Sequence, residues 1–268
     1  MTSLRVAAAQ AVSVAGDVQA NVDTAARLTA QAADQGARLV LLPEAFLTGY
    51  DHGAFAGPLP SSDDLDGAWL DPLRAAAAEG SCIVVASTGL DRGAAKALSL
   101  LVIRPSGAVS APYDKQHLFD AEQKFFLAGE HGASITVEGI ELGLSICYDG
   151  CFPEHARAAA DDGALGYLNP SAYFPGSAHR RDLYAAARAL DNGMYVVFAG
   201  LTGRCGRFEF IGGSAIYDPE GRPLVRMDRE EGVVVADLDP AVVHATREAH
   251  RMSHDHLPTL GPRMRLRV

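Results

Sequence analysis

Three residues of this sequence stand in settings that suit covalent chemistry. Cys147 ends the apolar run Leu142-Gly143-Leu144-Ser145-Ile146 and precedes Tyr148-Asp149-Gly150-Cys151-Phe152-Pro153-Glu154. Pro153 suits the first turn of a helix, so the thiol is expected at a strand-to-helix elbow, where a helix dipole aimed at the sulfur favours the nucleophilic thiolate. Glu44 closes a second apolar run, Leu39-Val40-Leu41-Leu42-Pro43, and precedes the turn-prone Thr48-Gly49-Tyr50. A carboxylate at a strand's C-terminal end lies where open α/β sheets place ligands. Partial burial there raises its pKa and makes it a workable general base near neutrality. Lys115 is one of three lysines against twenty arginines and sits in Tyr113-Asp114-Lys115-Gln116-His117-Leu118-Phe119. An ammonium among such groups requires a carboxylate partner to stay charged, and Glu44 or Glu122 can supply it. Taken singly, each residue also has a plain structural reading: a small buried core cysteine, a solvated loop carboxylate, a solvated loop lysine.

Other chemistries are weaker. None of the lysines follows a glycine, so there is no P-loop GK, and no strand opens into the glycine fingerprint of a dinucleotide site. HExxH and G-x-S-x-G are absent. His117 and His155 are available to a cysteine-histidine hydrolase, but nothing in their spacing singles them out. Cys147, Cys151 and His155 recur at i, i+4, i+8, a spacing that raises zinc; Pro153 inside the run argues against one continuous helix. The histidines His244, His250, His254 and His256, near Arg247 and Arg251, read as a solvated or oligomer-contacting tail.

Together the stretches say more than each alone. Pro43-Glu44 after a buried strand, Asp114-Lys115-Gln116-His117-Leu118-Phe119-Asp120-Ala121-Glu122 with Gly129 downstream, and Cys147-Tyr148-Asp149 with Phe152-Pro153-Glu154 resemble the three signature blocks of the nitrilase superfamily of carbon-nitrogen hydrolases, in the same order. The resemblance extends to the opening strand ending in Gln10, to Asp191-Asn192-Gly193 before Tyr195-Val196-Val197, and to Gly213-Ser214-Ala215-Ile216-Tyr217-Asp218-Pro219 with Gly221, and so covers roughly residues 4 to 240.

This resemblance implies an α/β fold in the form of a four-layer α-β-β-α sandwich, assembled into a homo-oligomer, with no metal and no organic cofactor. It maps the general base onto Glu44, the nucleophile onto Cys147, and the oxyanion donors onto Lys115 and the backbone N–H of Tyr148. Glu122 matches a second glutamate that orients the lysine and the substrate. The implied activity is thiol amidohydrolysis of a small amide or N-carbamoyl amine through a Cys thioester. The alternatives are ω-amidase action on a dicarboxylic acid monoamide, nitrile hydrolysis, acyl transfer to an amine, and a catalytically silent binding role. Many relatives carry arginine where this chain has Cys151, so an anionic substrate loses its most obvious partner and a neutral or cationic one is favoured. Asp51, Asp149 and Glu209 could offer countercharge. Tyr50, Phe119, Ala172 and Tyr173 are the pocket candidates by position.

The elements that must carry these groups follow from length and pattern. The chain has 268 residues, within the reach of one α/β domain, and residues 1–268 are expected to form it, with about 241–268 as a tail used in oligomer contacts. A formal charge of −10 disfavours nucleic acid and anionic lipid as partners. No apolar run approaches the length of a membrane span. Four cysteines are too few to suggest a disulfide scaffold at this size, and a reducing cytoplasm is the expected home. Strands are predicted at 4–10, 37–42, 82–88, 97–103, 164–168, 194–199, 214–217 and 233–237, with a hairpin of 135–137 and 142–146 around Glu138-Gly139. Helices are predicted at 18–35, 64–79, 153–160 and 179–190. Residues 108–132 read as a long functional loop.

Overall fold

Apolar runs without alternation become strands covered on both faces, and that rule organises the molecule. The computed structural model describes residues 2–257 and 259–267; positions 1, 258 and 268 of the expected domain and tail lie outside the described residues. In chain order the elements are β1 (Leu4–Gln10), α1 (Val18–Ala33), β2 (Leu39–Leu41), α2 (His52–Ala56), α3 (Asp71–Glu79), β3 (Ile83–Asp91), β4 (Lys96–Ile103), β5 (Val109–Asp114), β6 (Ser134–Val137), β7 (Ile140–Leu144), α4 (Pro153–Asp161), β8 (Gly166–Ser171), α5 (Ala178–Asn192), β9 (Tyr195–Gly200), β10 (Thr202–Cys205), β11 (Phe208–Ile211), β12 (Ala215–Tyr217), β13 (Pro223–Arg226), β14 (Gly232–Leu238) and α6 (Pro240–His250).

Two six-stranded sheets form, in the orders β14-β1-β2-β3-β4-β5 and β13-β12-β9-β8-β7-β6. In the first, β1, β2 and β3 run parallel, β4 returns antiparallel to β3, and β5, antiparallel to β4, points the same way as β2 and β3 again. In the second, β7, β8 and β9 run parallel. The inner faces meet where β1 and β2 cross β9; α1 and α3 cover the first sheet, and α4 and α5 the second. This is the four-layer α-β-β-α sandwich of a single domain. Leu41, Leu168 and Val197 belong to the large apolar core, while Ala156, Tyr167, Ala189 and Phe198 form a second cluster beneath α4 and α5. Among the described residues no helix is long and apolar enough to cross a membrane.

The structure corrects several expectations. The helix predicted over 64–79 is two short turns followed by α3. Gly67 lies at the break, where an added Cβ would collide with the Asp64 carboxylate, and Pro72 opens the true helix. The expected loop of 108–132 contains β5. Pro112 disguised that strand, but β5 is an edge strand, where a missing N–H is tolerated. The β10–β11 hairpin and β13 had no clear alternation to reveal them. At the C-terminus, Pro240–His250 packs as α6, with Val243 buried and Arg247 donating to Asn192 O (3.1 Å) and Ala164 O (2.7 Å).

Candidate active site

Each candidate residue lies just past the C-terminal end of a strand, and β2 and β5 point the same way within their sheet. Glu44 lies three residues past β2 and Lys115 immediately past β5, both in the first sheet, while Cys147 lies three past β7 in the second. The site therefore straddles the C-terminal strand ends of both sheets, the place where open α/β sheets bind ligands. Each position is fixed by the backbone. Ala45 N–H donates to Ser87 Oγ (2.9 Å), which sets the turn after Glu44. Lys115 N–H donates to Leu98 O (2.7 Å) and Lys115 O accepts from Gly129 N–H (2.9 Å). That approach requires glycine, since a Cβ on residue 129 would collide with the Asp114 carbonyl. Cys147 opens a short turn with φ of +44°, a left-handed conformation costly for any residue with a Cβ.

Glu44 and Lys115 are completely buried and Glu122 nearly so. Lys115 Nζ donates to Glu44 Oε1 (2.6 Å) and to Glu122 Oε1 and Oε2 (2.8 and 2.7 Å). Glu122 also accepts from the Tyr50 hydroxyl (2.5 Å) and from Phe119 N–H (2.7 Å). Both carboxylates named from the sequence as partners of the lysine thus hold it together. Glu44 Oε2 is buried and makes no hydrogen bond among the described residues, although Glu44 and Cys147 are close enough to shift each other's proton affinity.

Burial pushes the Glu44 carboxyl up to about 7, with Lys115 opposing and Glu122 reinforcing the rise. For Lys115, burial favours loss of the proton, but the charges of Glu122 and Glu44 outweigh it and raise the pKa. Burial, followed by the charge of Glu44, drives the Cys147 thiol well above its ordinary value; Lys115 and a hydrogen bond with the Ala172 backbone pull the other way. The expectation of a dipole-stabilised thiolate is therefore corrected. Helix α4 begins only at Pro153, and desolvation dominates, so the resting sulfur is protonated beside a carboxylate able to take its proton.

The family model described as Carbon-nitrogen hydrolase matches residues 5–248. The chain belongs to the carbon-nitrogen hydrolase family. It is 34% identical over 234 residues to a deaminated glutathione amidase of Escherichia coli O157:H7, covering 85% of this chain and 87% of that one. It is 31% identical over 253 residues to an omega-amidase of Homo sapiens, covering 89% and 90%. Among solved structures it resembles an amidase of Nesterenkonia sp. AN1, with TM-score 0.81, 32% identity, and 92% and 98% coverage; that structure, a glutamate-to-glutamine mutant, shows Michael addition of acrylamide at the active-site cysteine. This carbon-nitrogen hydrolase accordingly acts on carbon–nitrogen bonds other than peptide bonds.

The hydrolase has a cavity of about 100 Å³ that reaches Cys147 and Glu122. All four pocket candidates, Tyr50, Phe119, Ala172 and Tyr173, line it, as does Tyr148. A larger hollow of about 640 Å³, beside His155, Asp161 and Asp162, contains none of the three reactive residues. The proposed countercharges are not in the pocket. Asp51 is bound to the N–H groups of Gly53 (2.7 Å) and Arg207 (3.0 Å), and Glu209 lies 3.6 Å from Arg229. Asp149 is buried beneath the site, held by Tyr113 and His117. His117 and His155 face that carboxylate network instead of the sulfur, and Cys151 lies 3.8 Å from the Tyr173 hydroxyl, so no cysteine-histidine pair or zinc set forms from these residues. Cys151, weighed from the sequence for zinc and as the place of a missing arginine, also lines the cavity; residues missed from the sequence are Phe174, Ser177, Arg180 and Tyr184. The last three belong to α5 or its N-cap, and the available signal was their position just after Ala172 and Tyr173.

Proposed function

We propose that this hydrolase is an amidase that cleaves a small amide or N-carbamoyl amine through a thioester on Cys147, with Glu44 as general base and Lys115 as electrophile. The observation that carries this reading is the buried, unbonded Oε2 of Glu44 beside Cys147, while Oε1 is locked to Lys115 at 2.6 Å. The Cys147 proton passes to Glu44 as sulfur attacks the carbonyl carbon. The resulting oxyanion is held by Lys115 Nζ and the backbone N–H of Tyr148. An ammonium has three N–H donors. One serves Glu44, one bifurcated donor serves both oxygens of Glu122, and one remains for the oxyanion. Glu44 returns its proton to the leaving amine, then takes a proton from the water that attacks the thioester; the carbon–sulfur bond breaks, the acid departs, and Glu44 returns that proton to the Cys147 sulfur. Glu122, fixed by Tyr50 and Phe119 N–H, aims the lysine.

Similarity to an amidase from each of three organisms supports an amide as substrate. The four unpaired cysteines support a reducing cytoplasm. Exposed Leu257, Leu260, Met264 and Leu266 in the tail support a homo-oligomer. The test is ammonia release from primary amides, N-carbamoyl amines and short nitriles by wild type and Cys147→Ala in parallel. Turnover of an amide or carbamoyl substrate by the wild type alone is expected; equal turnover by a folded Cys147→Ala variant would remove the mechanism.

A further inference from the structure

The charges that line the active-site cavity are few and unequal in their state. Glu122 is bound within the protein by Lys115, which it shares with Glu44, and by the Tyr50 hydroxyl and Phe119 N–H. The other charged lining residue is Arg180, in the first turn of α5. Its neighbours on that helix are committed: Arg181 pairs with Asp182 (2.7 Å) and donates to Gly212 O (2.9 Å), and Arg188 pairs with Asp191 (2.9 Å) and donates to Gly150 O (2.9 Å). Arg180 has no ion pair or hydrogen bond among the described residues. It lies near enough to Cys151 for its charge to oppose the rise that burial gives that thiol. Cys151 lines the same cavity as Cys147. Lys115 is shared between Glu44 and Glu122 inside the protein, so Arg180 is the charged lining residue that has no protein partner among the described residues.

Resting on the amidase reading, we propose that Arg180 is the specificity determinant of this hydrolase and binds a carboxylate at the end of the substrate remote from the scissile amide. The substrate class is then a small monoamide of a dicarboxylic acid. A guanidinium keeps its charge at any working pH and presents a planar fork that fits a carboxylate through two hydrogen bonds. The hydroxyls of Ser177 and Tyr184 line the cavity with it, although Ser177 already donates to Phe174 O. A cation at the wall also raises the local concentration of anionic ligands. The assignment reverses the preference for neutral or cationic substrates drawn from the absence of arginine at position 151: the charge enters from α5 instead of from the nucleophile's own turn.

The test compares kcat/KM on monoamides of three- to six-carbon dicarboxylic acids with neutral primary amides of matched length, for wild type, Arg180→Gln, Arg180→Lys and Arg180→Glu. Wild type is expected to prefer an anionic amide. Arg180→Gln is expected to reduce the anionic-to-neutral ratio at least tenfold, chiefly through KM, with Arg180→Lys intermediate and Arg180→Glu shifting preference towards an ω-amino amide. Unchanged melting temperatures check that the fold is kept. A wild type that hydrolyses neutral amides without preferring anions, or a ratio unmoved by Arg180→Gln, overturns the assignment and leaves the amidase reading standing. Absence of turnover on every amide, and on N-carbamoyl amines run beside them, overturns both.

Discussion

The Tyr113 hydroxyl donates to Asp149 Oδ2 at 2.7 Å, and that bond joins the strand ending beside Lys115 to the turn beginning at Cys147. Asp149 also accepts from Ile146 N–H (2.9 Å) and His117 N–H (2.8 Å). Burial raises its pKa, but hydrogen bonds from His117, Tyr113 and Ile146 N–H prevail and hold it low. Because Tyr113 gives its proton to Asp149, the 2.8 Å contact of His155 Nε2 must donate to the Tyr113 oxygen. His155 Nδ1 then accepts from Tyr167 at 2.8 Å. One carboxylate thus fixes the relative placement of Lys115 and Cys147 across the two sheets.

Tyr113→Phe removes this tie without changing the ring. Leaving Asp149 short of a donor and His155 without an acceptor is expected to cost about 1–3 kcal/mol of stability. Looser registry of Lys115 against Cys147 is expected to lower kcat about tenfold or more, with KM little changed. Steady-state kinetics beside urea unfolding check both; a stability loss with wild-type kcat would make the bond purely structural.

The Glu44 carboxyl at about 7 predicts two pH dependences of opposite usefulness. A base must be ionised to take the thiol proton, so kcat/KM is expected to fall as pH drops through about 7. Glu44→Gln should lose turnover at every pH. For stability, the folded pKa lies above the ordinary glutamate value of 4.5, so the folded state binds the extra proton. The stabilisation from that proton is fully present below about 4.5 and is lost as pH rises through about 7. The unfolding free energy of wild type minus that of Glu44→Gln should therefore decline across this interval. A flat difference would show that Glu44 does not titrate there.

How much of this could be read from residues alone depended on whether local pattern or tertiary approach decided the outcome. Glu44 and Cys147 were visible because each follows an apolar run long enough to name a buried strand, and strand ends are where sheets expose chemistry. Lys115 stood out by rarity, yet its strand, β5, was hidden by Pro112 and by its half-buried edge position. The state of the sulfur was misjudged because a dipole argument sees the turn but not the desolvation. Arg180 was not visible at all. On α5 it looks like any surface arginine, and only the fold brings the start of that helix over the cavity.

Gly129 is a local requirement with a distant effect. Its N–H caps the Lys115 carbonyl at 2.9 Å, and a Cβ there would strike the Asp114 backbone. Gly129→Ala must push this segment off the end of β5, breaking that bond and shifting the lysine. The expected result is a loss of about 1–3 kcal/mol together with reduced kcat. Urea unfolding and kinetics on the same preparation test it, and wild-type behaviour in both would show that the segment yields freely.

Cys147 offers a test of strain held at a reactive residue. Its φ of +44° disfavours any side chain with a Cβ by about 1–2 kcal/mol, whereas glycine adopts that region freely. Glycine normally lowers stability relative to alanine through the entropy of the unfolded chain. At this position the order should reverse: both Cys147→Ala and Cys147→Gly are expected to be inactive, with Cys147→Gly melting at the same temperature or higher. Such a reversal would mean that the turn is imposed by its surroundings, through the Asp149 network and the packing of Gly150, where a Cβ would lie 3.0 Å from the Asn169 side chain. If alanine proves clearly the more stable, the left-handed turn costs nothing at Cys147, and the placement of its sulfur requires another cause.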